Sequence, residues 1–133
     1  MEYNVKSPVA VVIFNRYETT MKLFYELRKV KPKELYIIAD GPRKDKPDDI
    51  EKCKKTREIF EKIDWECNIH KNFSEQNLGC CKRPYTGFSW LFDNVNEAII
   101  LEDDCIPDIS FFRYCDELLE KYRDDERIML ISV

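Results

Sequence analysis

Residues 8–16, PVAVVIFNR, set a run of apolar, largely β-branched side chains directly ahead of an amide and a guanidinium. A run that is apolar at every position, not at every second one, suits a strand buried on both faces, as in a parallel sheet. The same unit recurs further along. Leu35 to Ala39, LYIIA, stops at Asp40-Gly41-Pro42, and Ala98 to Leu101, AIIL, stops at Glu102-Asp103-Asp104. Between the strands, apolar residues return at helical spacing, as Met21, Phe24, Leu27 and Val30 do before Pro32. Strands that alternate with helices call for parallel crossovers. The expected fold is α/β, a three-layer Rossmann-like sheet of mainly parallel strands with helices on both faces.

The intervening stretches complete this pattern. Asp48 and Glu51 have capping-box spacing ahead of a helix with Ile50, Cys53, Ile59, Phe60 and Ile63 on its apolar face. Residues 66–70 read as a short edge strand and 73–79 as a loop. A helix is predicted over 82–93, with Pro84 in its first turn and Gly87 weakening it. Ser110 is placed to cap another helix, whose Phe111, Cys115, Leu118 and Tyr122 share a face. Residues 128–133, IMLISV, read as a further strand. The expectation is a single domain over 1–133 that ends on a buried strand, as a fold continued elsewhere would.

Composition narrows the function. With 44% hydrophobic and 36% charged residues, the chain has the make-up of a globular protein, and its net charge of -4 argues against a nucleic-acid surface. No stretch approaches the roughly 20 apolar residues of a membrane span, and MEYNVKSP lacks a secretory h-region, so a cytoplasmic protein is expected. The six cysteines form no C-x-x-C pairs, which leaves free and mostly buried thiols as the expected state. Three glycines leave no room for G-x-G-x-x-G or a phosphate-binding P-loop. His70, the lone histidine, has no evident triad partners and reads as a strand or loop residue.

Chemistry in open parallel sheets gathers outside the carboxyl ends of the strands. The first strand delivers Asn15 and Arg16 there, the second Asp40, and the later one Glu102, Asp103 and Asp104. Alternation along an extended exit puts Glu102 and Asp104 on one side and Asp103 on the other. Two carboxylates on one side repel unless a cation or solvent intervenes, and a hard divalent ion suits oxygen ligands. The plain alternative is a solvated loop. Asp40 serves equally well as a turn residue or as an acceptor for a base N–H or a ribose hydroxyl. Arg16 could neutralise a diphosphate, as could Lys82 and Arg83 near a helix start.

Taken in order, PVAVVIFNR, YIIADGPR, SEQNLGC before a helix, and AIILEDDCIPD followed by SFFRYCDELLEKY resemble the GT-A fold of nucleotide-diphospho-sugar transferases. The nearest likeness is to the family 2 and N-acetylglucosaminyltransferase I types, and it covers the nucleotide-binding half, with the acceptor-binding half absent. Glu102-Asp103-Asp104 matches that family's D-x-D motif. The resemblance implies that Asp104 coordinates Mn²⁺ or Mg²⁺ on a diphosphate, with Asp103 assisting and Glu102 facing the donor sugar. It also implies that Arg16 lies near the nucleotide, that Asp40 reads the base, usually uracil, and that residues 76–79 with Arg83 lie near the donor phosphates. The implied partners are a nucleotide-sugar donor, by the family's usual base a UDP-sugar, and a glycan or other hydroxyl acceptor. The implied function is sugar transfer, and the alternative is a non-catalytic GT-A-like module for nucleotide binding or protein contact. An exposed last strand edge would favour a homo-oligomer.

Overall fold

In the computed structural model, which describes residues 2–132, four strands and four helices alternate along the chain. They are β1 (Val9–Ile13), α1 (Tyr17–Val30), β2 (Glu34–Ala39), α2 (Asp48–Glu58), β3 (Asn68–Phe73), α3 (Gly79–Asn94), β4 (Ile99–Glu102) and α4 (Ile109–Tyr122). A 3-10 turn, Ile59–Lys62, extends α2. The strands form one sheet in the order β3-β2-β1-β4, and every pairing is parallel. Val9 stands opposite Leu35 on one side and Ile99 on the other, so β1 is central.

Both faces of the sheet are covered over β1, β2 and β4, which is why those strands are largely apolar, whereas the edge strand β3 is largely polar and exposed or half-buried throughout. Val9, Val11 and Ile13, Leu35 and Ile37, and Ile99 and Leu101 point to one face, into a core shared with α1, Phe60 and Phe112 of α4. Ala10, Tyr36 and Ile100 point to the other, where Leu91 and Trp90 of α3 meet them. The Phe24 ring packs edge-on against Phe60 and tilted against Trp65, each at 5.9 Å between centroids. α1 ends through Lys31 in the left-handed conformation, its amide bonded to the Leu27 carbonyl, with Pro32 next. Gly87 lets α3 lie close on the sheet: a Cβ there would come within 2.5 Å of the Ile38 side chain. The glycine that weakens the helix is what allows its packing.

Several details depart from the sequence reading. α3 begins at Gly79, so Pro84 lies inside the helix, past its first turn, and denies the Cys80 carbonyl its usual partner. α2 has Pro47 at its cap and Asp48 already helical, so the capping box does not form. Ile50 is 65% exposed while its neighbour Asp49 is buried. Asp49 is drawn inward by Arg43 and Asn15, and that turns Ile50 out. Residues 128–132 form no strand: Ile128 is tied back to Asp125 in a turn, and Met129 and Leu130 are exposed. Val133 lies outside the described residues. Among the cysteines, all six free, only Cys53 is buried, whereas Cys80, Cys81 and Cys105 are exposed on a helix start and a loop. Among the described residues no helix is long and apolar enough to cross a membrane.

The N-terminal segment is fastened to α4 by one buried carboxylate. Asp116 accepts from the Tyr3 hydroxyl, the Lys6 amide (2.8 Å), the Ser7 amide (2.9 Å) and the Ser7 hydroxyl (2.6 Å). Burial pushes the Asp116 carboxyl up, but these bonds from Ser7, Tyr3 and Lys6 outweigh it and hold the group below its ordinary value. The same contact raises the Tyr3 phenol to about 12, burial first and Asp116 second. Because the folded-state value is depressed, the stabilisation is full above the ordinary carboxylate range near 3.9 and is lost as pH falls through the folded value. Asp116→Ala should cost roughly 3 kcal/mol through stranded donors, and Asp116→Asn should flatten the acid limb of stability. Urea melts of the variants at pH 3 to 7 check both outcomes.

Candidate functional site

At the carboxyl edge of the sheet a cleft of about 410 Å³ opens over the ends of β1, β2 and β4. Chain order reverses there, because β1 leads through α1 to β2 on one side while β4 lies on the other. Such a switch point opens a crevice between the connections that leave in opposite directions. Arg16, Asp40, Arg83, Glu102, Asp103 and Asp104 all line this cleft, joined by Asn77 of the loop before α3 and Gly79 at the start of that helix. Lys82, on the exposed side of α3, does not.

Proximity does not make the six equivalent. The Asp40 carboxylate, at the end of β2, accepts from the amides of Gly41 (2.9 Å), Leu78 (2.9 Å) and Gly79 (3.1 Å) and from the Asn77 side chain (3.1 Å). Four donors fill what a carboxylate offers. It therefore caps α3 from outside, where helix amides lack partners and negative charge is favoured. The same crossing explains Gly41, since a Cβ there would meet Gln76 and Glu75 backbone atoms at 2.6 to 2.7 Å.

Arg83 is likewise committed. Buried at 4% exposure, it donates to the Ala39 carbonyl (3.2 Å), the Thr86 hydroxyl (3.2 Å) and the side-chain oxygen of Asn72 (2.7 Å), as well as the Asn72 carbonyl. It bonds to the paired ends of β2 and β3 and ties both to α3. Its expected contact with donor phosphates would require breaking those bonds, so it supports the cleft wall.

The exit of β4 is different. The ligand atoms of Glu102, Asp104 and Cys105 lie within 4.8 Å of one another, all on exposed side chains. A turn closed from the Cys105 amide to the Glu102 carbonyl (3.0 Å) brings Glu102 and Asp104 to one side. Asp103 points inward at 13% side-chain exposure. Burial raises its carboxyl, Arg16 pulls it down, and Asp104 and Glu102 push it up again. Arg16 reaches across from β1, with Nη1 at 3.4 Å from Asp104 and 3.8 Å from Asp103. Its carbonyl receives the Thr20 amide and hydroxyl, which fixes the start of α1 while the side chain stays exposed. Such an exposed ion pair contributes about 0 to 1 kcal/mol, so Arg16 can exchange partners cheaply.

Sequence reasoning missed Asp49 and Arg43. Asp49 accepts from Asn15 (3.0 Å), from Arg43 Nε (2.6 Å) and Nη2 (3.1 Å), and from the Arg43 amide (3.1 Å). The Arg43 side chain, despite opposing burial, holds the Asp49 carboxyl well below the carboxylate range. Arg43 lines the cleft and lies 5.5 Å from the Phe14 ring centroid. The available signal was the second aspartate of Asp48-Asp49, one residue before an isoleucine that turned outward.

For a divalent cation the donor set divides. Glu102 and Asp104 are hard oxygen ligands that suit Mg²⁺ or Mn²⁺, while the neighbouring Cys105 thiol suits softer ions. The two carboxylates fit the expected metal. Comparison with models of known protein families, with curated proteins and with solved structures finds no match.

Asp40→Ala should strand the Leu78 and Gly79 amides, cost roughly 2 to 3 kcal/mol and speed hydrogen exchange at both. Gly41→Ala should loosen the same loop through backbone overlap, at roughly 1 to 3 kcal/mol. Amide exchange followed by NMR, beside urea melts, distinguishes a loosened loop from general destabilisation.

Proposed function

We propose that this chain binds a nucleoside-diphosphate sugar in the cleft and serves as the donor-binding part of a GT-A-like glycosyltransferase. The carrying observation is that residues from three strand ends, distant in sequence, line one cleft where an α/β sheet reverses its order. Within it the uncommitted charges lie together: Glu102 and Asp104 as hard ligands, and Arg16 beside them as a mobile cation. Those are the groups a diphosphate and a divalent ion require.

Glu102 and Asp104 would hold Mn²⁺ or Mg²⁺, which when bound supplies positive charge to the leaving diphosphate. Arg16 turns from the carboxylates to a phosphate oxygen and adds its own charge there. Asp103 stays between Arg16 and the cleft floor and limits where that guanidinium can point. In the transfer the acceptor oxygen bonds the anomeric carbon as the bond to the diphosphate oxygen breaks. The electron pair leaves with the diphosphate, and the hydroxyl proton passes to a base.

A non-catalytic nucleotide-binding module is the second reading, and one observation favours it. Of the four carboxylates lining the cleft, Asp40 is saturated, Glu102 and Asp104 are assigned to the ion, and Asp103 faces Arg16. None is left to take the acceptor proton.

UDP should raise the melting temperature only with Mn²⁺ or Mg²⁺ present, and Asp104→Ala should abolish the shift. A shift without metal, or none with any nucleoside diphosphate, would sink the metal-site assignment. Hydrolysis or transfer from UDP-sugars then separates the enzyme from the module.

A further inference from the structure

Beside the cleft, a groove of about 690 Å³ runs between the start of α1 and the flank of α2. Lys52, Lys55 and Lys62 line one wall, and Arg16 stands where the groove meets the cleft. The spacing of the three lysines keeps them on one stripe of α2 and its 3-10 extension. Lys29 is paired with Glu26 and Lys71 with Glu61. Among the described residues, Lys52, Lys55 and Lys62 form no such pair, in a chain where 26 acidic residues outnumber 22 basic ones. Glu18 and Glu58 at the groove offset part of the charge and leave it net positive.

Like charges converging on a concavity focus the potential there and favour an anion. Ammonium groups act as point charges on flexible stems that can meet phosphate oxygens from several directions, and the Arg16 fork can bind the same group bidentately. Thr19 adds a hydroxyl close to the shared end, beside Asn15, whose side-chain amide is held by Asp49. We propose that this groove holds the phosphate-bearing end of the acceptor, a reading that rests on the adjoining cleft being the donor site. The shared Arg16 sets the two ligands side by side, the arrangement that transfer between them needs.

The test titrates ¹⁵N-labelled protein with inorganic pyrophosphate, without metal or nucleotide, at low ionic strength. Amides of Asn15, Thr19, Lys52, Lys55 and Lys62 should shift, and the effect should fade with added salt. The Lys52→Gln/Lys55→Gln double variant should bind about tenfold more weakly, and Lys55→Glu should weaken binding further. Shifts confined to residues 102–105, or unchanged affinity in the double variant, would overturn the proposal. Because UDP and metal are absent, failure of the donor reading appears separately, as loss of the UDP-dependent melting shift with pyrophosphate binding intact. Co-sedimentation with phosphatidic acid vesicles, lost in the double variant, would assign the phosphate to a lipid-linked acceptor. Pyrophosphate binding without co-sedimentation would assign it to a soluble one.

Discussion

One carboxylate organises the carboxyl edge of this sheet. Asp40 directly follows β2, and three of its four accepted bonds pull residues 77–79 across the strand ends and cap α3. A carbonyl has two lone pairs, and near these strand ends a second donor can join the ladder bond, as at Ala39, which already accepts from the Ser74 amide. Two arginines act as such donors around Asp40. Arg57 donates to the carbonyls of Asp40 and Ser74, and Arg83 to those of Ala39 and Asn72. The cleft therefore has a wall on the β2–β3 side whose charged groups are already held by hydrogen bonds.

Rigid and adaptable charge are thus segregated. Asp40, Arg83, Arg43 and Asp49 are embedded in short, multiple hydrogen bonds, while Glu102, Asp104 and Arg16 stand exposed opposite them. Binding sites gain from this division, since a preorganised frame spares ordering cost while a few exposed groups exchange water or one another for ligand. The exposed set alone would be an ordinary solvated loop. Its placement against a fixed wall makes a ligand reading physically economical.

β1, β2 and β4 were legible because burial on both faces demands apolar residues at nearly every position, and few other environments do. The edge strand β3, exposed or half-buried throughout, carries no such signal and reads only as a short strand over 66–70. The convergence of Arg16, Asp40 and Glu102–Asp104 followed from parallel topology alone, which sends every strand exit to one edge. What sequence could not resolve was which charged side chain would face inward. Asp40 and Arg83 read as ligand-binding groups, yet they bond to backbone amides and carbonyls, which leave no mark in residue identity, and to the side chains of Asn77, Asn72 and Thr86, which only the fold brings near. Asp49 was missed because its partners, Asn15 and Arg43, meet it only through the fold. The run IMLISV misled because hydrophobicity reports burial propensity, whereas a strand also needs a neighbour to pair with, and residues 128–132 turn back on Asp125 instead.

Arg16 links these observations. Its backbone is fixed by Thr20 at the head of α1, so its side chain pivots from a stationary point between the cleft and the lysine groove. Its bond to Asp104 is long and exposed, weak enough for a phosphate to displace. Once Asp104 is drawn to a cation, the attraction that holds Arg16 over the carboxylates falls, and the guanidinium is released toward an anion on either side. On the proposed reading, donor binding in the cleft would thereby strengthen the positive field of the groove. Order of binding would follow from electrostatics, with the metal-bound donor entering first and a phosphate-bearing acceptor second.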